Sequence, residues 1–324
     1  MTEPLAAGES RPGRSCPLSY RYGAAALAAP ASLHTDTLWV IGGLYGNSVA
    51  LERVLADFDR ERGDKSLVFN GDFHWFDVDR DEFATIEHGV SGHRAMCGNV
   101  EAELARPANG AGCGCAYPDW VGDETVEHSN RIIARLRATA QAFPLARERL
   151  AGLPMFYVAE VGGLRVGIVH GDADSLAGWG FSQEALATPD GLRAAERAFD
   201  SAGVRLFAST HSCLPVLQGF AGERALINNG SAGMPNFAAT RFGVATRISP
   251  FPHASALYRM RIGALHVEAI PINFDAREWT RRFLAQWPAG SDAHASYFSR
   301  IASGPTYRTE QALRPAGDDV RVAA

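Results

Sequence analysis

No apolar run in this sequence approaches the ~20 residues that a membrane-spanning helix requires, which excludes such a helix within it. Cysteine is scarce: five residues, an odd number in a chain of 324, which argues against a secreted disulfide scaffold. There is no basic stripe. The formal net charge is −5 and the pI about 6.1, so a non-specific nucleic-acid binder is not expected, although a nuclease reading a short substrate stays open. No internal repeat appears, and no stretch is compositionally simple. What remains is an ordinary globular composition, 46% hydrophobic and 21% charged, with 33 glycines and 17 prolines that make it loop-rich. The length allows one large domain or two small ones. The run Ala24–Ala29 is short, weakly hydrophobic and preceded by Glu3 and Glu9, so it is not read as a signal peptide. The cytoplasm is the expected compartment.

Residues 1 to about 35 carry Pro4, Pro12, Pro17 and Pro30 without periodicity and read as an arm. Beyond them the pattern alternates. Leu38–Ile41, Leu67–Phe69 and the weaker Ala95–Cys97 predict short strands, and the apolar spacing from Val49 to Phe58 predicts a helix between the first two. Residues 75–92 read as loop with one helical turn, and 105–121 as an insertion loop rich in Gly, Ala and Pro. Helices are expected at about 123–141 and 144–151. Met155–Val161 and Leu164–Val169 flank Gly162-Gly163 and predict a hairpin. A helix over 189–202 and strands at 204–208, 216–220, 225–227, 256–262 and 265–272 follow. Helical patterns at 276–287 and near 294–302 end the chain. The expectation is an α/β (α+β) fold: βαβ units early and antiparallel strands late, as two sheets packed together with helices outside.

Four polar motifs each follow an apolar run: Asn70-Gly71-Asp72, Gly98-Asn99-Val100-Glu101, His170-Gly171-Asp172 and Thr210-His211-Ser212-Cys213-Leu214-Pro215. Their side chains include a carboxylate, an amide oxygen and two imidazoles, donors suited to divalent Mn, Fe or Zn. In α/β proteins the carboxyl ends of strands are where sites are assembled from separate loops. A fifth segment, Gly42-Gly43-Leu44-Tyr45-Gly46-Asn47, offers neither carboxylate nor imidazole. Taken singly, Asp72, Asn99, His170 and His211 could each cap a turn or bond a loop backbone.

Taken together and in order, these motifs resemble those of the calcineurin-like metallophosphoesterase superfamily, especially its small bacterial phosphodiesterase branch. That family runs Asp-x-His, Gly-Asp, Gly-Asn, His-Gly and Gly-His-x-His. Gly71-Asp72, Gly98-Asn99 and His170-Gly171 match as they stand, and Ile227–Pro235 resembles the Asn-Pro-Gly-Ser loop that follows the last motif. The likeness covers residues 36–275. It implies a four-layer αββα sandwich, two mixed β-sheets packed face to face with flanking helices, between an arm at 1–35 and a helical extension at 276–324. It also implies that Asp72, Asn99, His170 and His211 hold one metal ion. The family's other metal would use positions that here read Gly43, Tyr45, Asp72 and Cys213. The departures fall on one metal and spare the other, whereas random decay would strike both.

One ion is therefore expected, with two as the alternative. Tyr45 and Cys213 are either a rebuilt site or packing over a vacated one. Among the catalytic candidates, Asp72, Asn99 and His211 act through the metal, and His74, two residues after Asp72, is placed near the site as a proton donor. His93 is a weaker candidate of the same kind. Glu101 and Asp172 are expected to orient ligands, and Asp174 and Trp179 to line the cleft. The catalytic His that many members carry after Gly-Asn reads Val100, and the Arg expected after the last loop's Pro reads Asn236. Cys97, Cys113 and Cys115 either join Cys213 in a thiolate cluster or remain reduced, with Cys113 and Cys115 a pair on a loop. The function implied is hydrolysis of a phosphorylated small molecule, as a phosphatase or phosphodiesterase. The alternative is a catalytically impaired relative that serves as a ligand- or protein-binding module.

Overall fold

The computed structural model describes residues 11–107 and 110–316. Residues 1–10 of the expected arm, 108–109 of the expected insertion loop and 317–324 of the expected tail lie outside the described residues. The strands are β1 (Leu33–Thr35), β2 (Thr37–Ile41), β3 (Lys65–Asn70), β4 (Arg94–Met96), β5 (Phe156–Val161), β6 (Leu164–Val169), β7 (Leu206–Ser209), β8 (Val216–Phe220), β9 (Arg224–Asn228), β10 (Gly243–Ser249), β11 (Tyr258–Ile262), β12 (Leu265–Ile272) and β13 (Leu313–Arg314). The helices are α1 (Ser48–Asp59), α2 (Arg80–Ser91), α3 (Asn99–Ala105), α4 (Asp123–Ala140), α5 (Pro144–Ala151), α6 (Pro189–Ala202), α7 (Ala276–Gln286) and α8 (Asp292–Ser303).

Two mixed sheets result. One has seven strands in the order β1-β5-β6-β7-β9-β8-β13, the other six in the order β11-β12-β10-β2-β3-β4. Period-two alternation explains how they stack. Every residue of β2 is buried, but Leu38 and Val40 face the other sheet while Trp39 and Ile41 face the helices. In β7, Leu206 and Ala208 point inward and Phe207 outward, against Phe199 of α6. Leu38, Val40 and Val68 of one sheet thus meet Ile168, Leu206 and Ile227 of the other in a shared interior. Helices α1, α2, α4 and α7 cover the outer face of the six-stranded sheet, and α6 covers that of the seven-stranded one. The architecture is a four-layer αββα sandwich. No helix among the described residues is long and apolar enough to cross a membrane.

Several segments differ from expectation, among them helix α3 over Asn99–Ala105, which was not anticipated. Residues 80–91 form the complete helix α2, started by Asp79, whose side chain accepts from the backbone N–H of Asp81 and Glu82. Phe83, Ile86 and Val90 supply its buried stripe. Strand β10 was not anticipated, yet it pairs antiparallel with both β2 and β12. Its Arg247 is buried against Glu61 and Glu268, so a polar residue occupies a central strand without an unpaired charge. The described part of the arm is packed structure. Tyr20 and Leu27 are buried, and β1 pairs with β5 at the sheet edge.

The site-bearing strands β2, β3 and β4 run parallel to one another, as do β6, β7 and β9. Each polar motif begins where its strand stops.

A candidate metal centre at the strand ends

Glycines let the site-bearing loops touch backbone to backbone. Gly71 has φ +73°, and a Cβ there would lie 2.5 Å from Gly98 N and 2.6 Å from His170 Nδ1. A Cβ on Gly98 would lie 2.6 Å from Asp72 N and would also strike that residue's carboxylate. Asp72 and His211 themselves adopt left-handed backbone, φ 51° and 55°, at a cost of about 1–3 kcal/mol each that the surrounding packing must offset. Glu101, buried in the first turn of α3, fixes the Gly71-Asp72 turn. Its carboxylate accepts from Asp72 N (2.7 Å), Gly98 N (2.8 Å) and Phe73 N (3.1 Å). Val100 N donates to Asp72 Oδ1 at 3.1 Å.

Four side chains converge around His170 Nε2. Asp72 Oδ2, Asn99 Oδ1 and His211 Nδ1 each lie 3.3 Å from it. Ligand atoms of Asp72, His170 and His211 all fall within 4.8 Å of one another, the one such cluster among the described residues. Neighbouring carbonyls set the tautomers. His170 Nδ1–H donates to Asn70 O at 2.8 Å, and His211 Nε2–H donates to Cys115 O at 3.1 Å. Asn99 Nδ2 donates to Cys113 O at 3.0 Å, which turns its Oδ1 inward. With both imidazoles neutral, two nitrogen lone pairs, an amide oxygen and a carboxylate oxygen face a common point with no proton between them. Such a set repels itself until a cation occupies the middle. Separations of 3.3 Å are what donors about 2 Å from a shared centre would show. The donor set therefore fits a divalent metal.

Electrostatics agree. Burial works against charge on Asp72, yet the two imidazoles hold its carboxyl below its ordinary value. His211 is held down to about 3 by burial and by His170. Burial opposes charge on His170 as well, but the Asp72 carboxylate keeps its pKa above the ordinary imidazole value, so a proton competes with a cation there.

The remaining candidates separate. Tyr45 and Cys213 pair with each other, hydroxyl to sulfur at 2.8 Å. Burial pushes both groups up, so at neutral pH they are a phenol and a thiol. The Tyr45 ring fills the space an Asp side chain would need at 43, since a Cβ on Gly43 would lie 2.8 Å from it. Tyr45 and Cys213 thus pack against each other and against Gly43. His74 requires a correction. It is fully buried away from the cleft, stacked on Phe83, with Nδ1 2.5 Å from Asp77 and Nε2 2.8 Å from Glu87. Both nitrogens are engaged there, and His74 is not among the residues that line the cleft. His93 packs on Phe58 and Phe69. Asp172 accepts from three backbone N–H groups of its own loop, and Asp174 accepts from Ala24 N. Cys113 and Cys115 lie side by side on their loop with Cα atoms 5.4 Å apart, Cys97 stands apart, and no cysteine belongs to a converging donor cluster among the described residues. Trp179 does line the cleft, its Nε1–H donating to Cys115 O at 3.0 Å.

Sequence reasoning missed Arg300. It lies on α8, donates from Nη2 to Cys213 O (2.6 Å) and from Nε to Pro235 O (2.8 Å), and lines the cleft beside Tyr45. Asn236, at the position where Arg was expected, is a buried structural amide bonded to Ser231. The helix was legible, but nothing local connects it to loops nearly ninety residues earlier.

Solved structures share this fold. A metallophosphoesterase from Sphaerobacter thermophilus superposes with a TM-score of 0.54 over 84% of this chain and all of its own, at 16% identity. The fold is that of the metallophosphoesterases. A hypothetical protein from Pyrococcus horikoshii matches similarly, with a TM-score of 0.56 over 85% of this chain and all of that one, at 14% identity. No protein-family model matches the chain, and no curated protein does. On the metallophosphoesterase fold, the convergent donors occupy the strand-end loops.

Proposed function

We propose that this protein is a metal-dependent phosphoric ester hydrolase that works with one divalent ion, Mn, Fe or Zn, held by Asp72, Asn99, His170 and His211. The observation that carries this reading is the set of four inward-facing acceptors around His170 Nε2, with tautomers set by carbonyls on their far sides. When bound, such an ion polarises a phosphate oxygen and lowers the pKa of a water. The chain's own residues supply the rest. Glu101 holds the Asp72 turn. His211 presents a fixed lone pair, and His170, its ring oriented by Asn70 O, presents another once its Nε2 proton leaves. Arg300, on the opposite side near the vacated position, offers guanidinium donors to a phosphate oxygen. One carboxylate on a divalent ion leaves the site positive, which favours an anionic ester. Without a second ion one charge clamp is lost, and slow turnover on generic substrates follows.

The test is elemental analysis of the purified chain, then hydrolysis of a chromogenic phosphodiester and a phosphomonoester with added Mn. One ion per chain is expected, with activity abolished in Asp72→Ala. Activity that survives this change sinks the site assignment. Two tightly held ions per chain would overturn the single-ion reading. A chain that neither takes up metal nor hydrolyses either ester is a binding module.

A further inference from the structure

The cleft beside the four donors has a volume of about 320 Å³, at the small end for ligand pockets. Its walls are unusually aromatic: Trp75, Tyr117, Trp120, Trp179 and Tyr297. Trp179 is held in place, bonded to Cys115 O and meeting the His211 ring edge-on with centroids 5.2 Å apart. Tyr117 and Trp120 continue the wall outward, 5.9 Å and 6.3 Å from Trp179. Trp120 is 62% exposed at the mouth, among the few large apolar side chains left in water. On the same cleft, Glu184 has a buried Oε2 that no described residue bonds.

Resting on the hydrolase reading above, we propose that the substrate is a phosphate ester whose organic group carries a flat ring, held against Trp179 and Trp120. Phosphate must sit between the metal donors and Arg300, and the first wall met on leaving His211 is an indole. Aromatic faces favour flat rings over puckered or extended groups of equal size. A polyhydroxyl chain would leave its donors and acceptors unmatched along this wall. The unbonded Glu184 Oε2 is an acceptor that fits a ring-bearing group also offering an N–H or O–H. A nucleoside and a simple aryl alcohol share this chemistry.

The test uses the full chain with added Mn and a pair of esters alike in leaving alcohol but different in flatness: benzyl phosphate and cyclohexylmethyl phosphate. Stacking on one aromatic side chain predicts about a tenfold preference in kcat/KM for the flat member. Trp120→Ala should bring the ratio close to one, and Trp120→Phe should keep it. The corresponding phosphonates cannot be hydrolysed, and titrating them by calorimetry gives the same comparison without turnover. Uridine 5′-phosphate against ribose 5-phosphate decides the source. Preference in this pair alone assigns the ring to a nucleobase; preference in both assigns any flat ring. Equal affinity for flat and saturated members in both pairs overturns the proposal. A ring preference in the phosphonates without hydrolysis of any ester overturns the hydrolase reading and keeps the ring site.

Discussion

His74 stands two residues from a candidate metal-donor carboxylate, yet its contacts are structural, and replacing it should show this. The imidazole is fully buried between Asp77 and Glu87, which raise its pKa from 6.5 to about 10 against the opposing effect of burial. A folded-state pKa above the unfolded one stabilises the protein fully below pH 6.5, and this contribution disappears as pH rises through 10. The gap corresponds to about 5 kcal/mol in full and about 4 kcal/mol at pH 7. An independent argument gives the same size. Removing the cation leaves Asp77 with only the Trp75 N–H (2.9 Å), while Glu87 keeps Arg149, and breaking a buried pair costs about 3–5 kcal/mol. In urea titrations at fixed pH, His74→Gln should lose about 4 kcal/mol at pH 7, and its stability should fall less steeply than the parent's between pH 7 and 10. Activity per folded molecule should stay within about threefold, whereas loss of a general acid costs about 10²–10⁴. A variant within 1 kcal/mol of the parent with the same pH profile, or folded but inactive, refutes the assignment.

Other outcomes follow from the same geometry. Mn or Zn at a hundred times its dissociation constant should add about 2.7 kcal/mol and raise Tm by about 4 °C, with the shift absent in His211→Ala; an unchanged variant shift places the metal elsewhere. Gly98→Ala forces a Cβ against Asp72 and should abolish metal uptake measured by calorimetry while the chain still folds by circular dichroism. The bond from Arg247 holds Glu61 below its ordinary 4.5, so its contribution is complete above that pH and lost as pH falls below it. Acid titration followed by tryptophan fluorescence should therefore show a flatter acid limb in Glu61→Gln than in the parent.

The sequence was legible where local signals and tertiary roles coincide. The hairpin at Gly162-Gly163, the helix started by Thr188-Pro189, and the loops ending in Asp72, Asn99, His170 and His211 are written in adjacent residues. It was less legible where a partner far along the chain reverses a local cue. Strand β10 carries Thr246, Arg247 and Ser249, which read as surface until Glu61, Glu268 and Thr37 are brought to them. His74 reads as a cleft residue because it follows Asp72 by two, but the turn that Glu101 clasps sends it beneath Phe83. Where an Arg was expected the loop carries Asn236, and Arg300 reaches that amide from a helix whose pattern shows only amphipathicity.

The packed N-terminal segment has a practical corollary. Tyr22 donates its hydroxyl to Asp172 O, Ala24 N bonds Asp174, and Leu176 N bonds Tyr20 O, so this stretch buckles down the loop that leaves His170. At the far end, α8 delivers Arg300 to the same rim. A fragment trimmed to 36–275 would keep all four donors but shed both the buckle and the guanidinium. The smallest piece worth expressing runs from before Tyr20 to beyond Arg300.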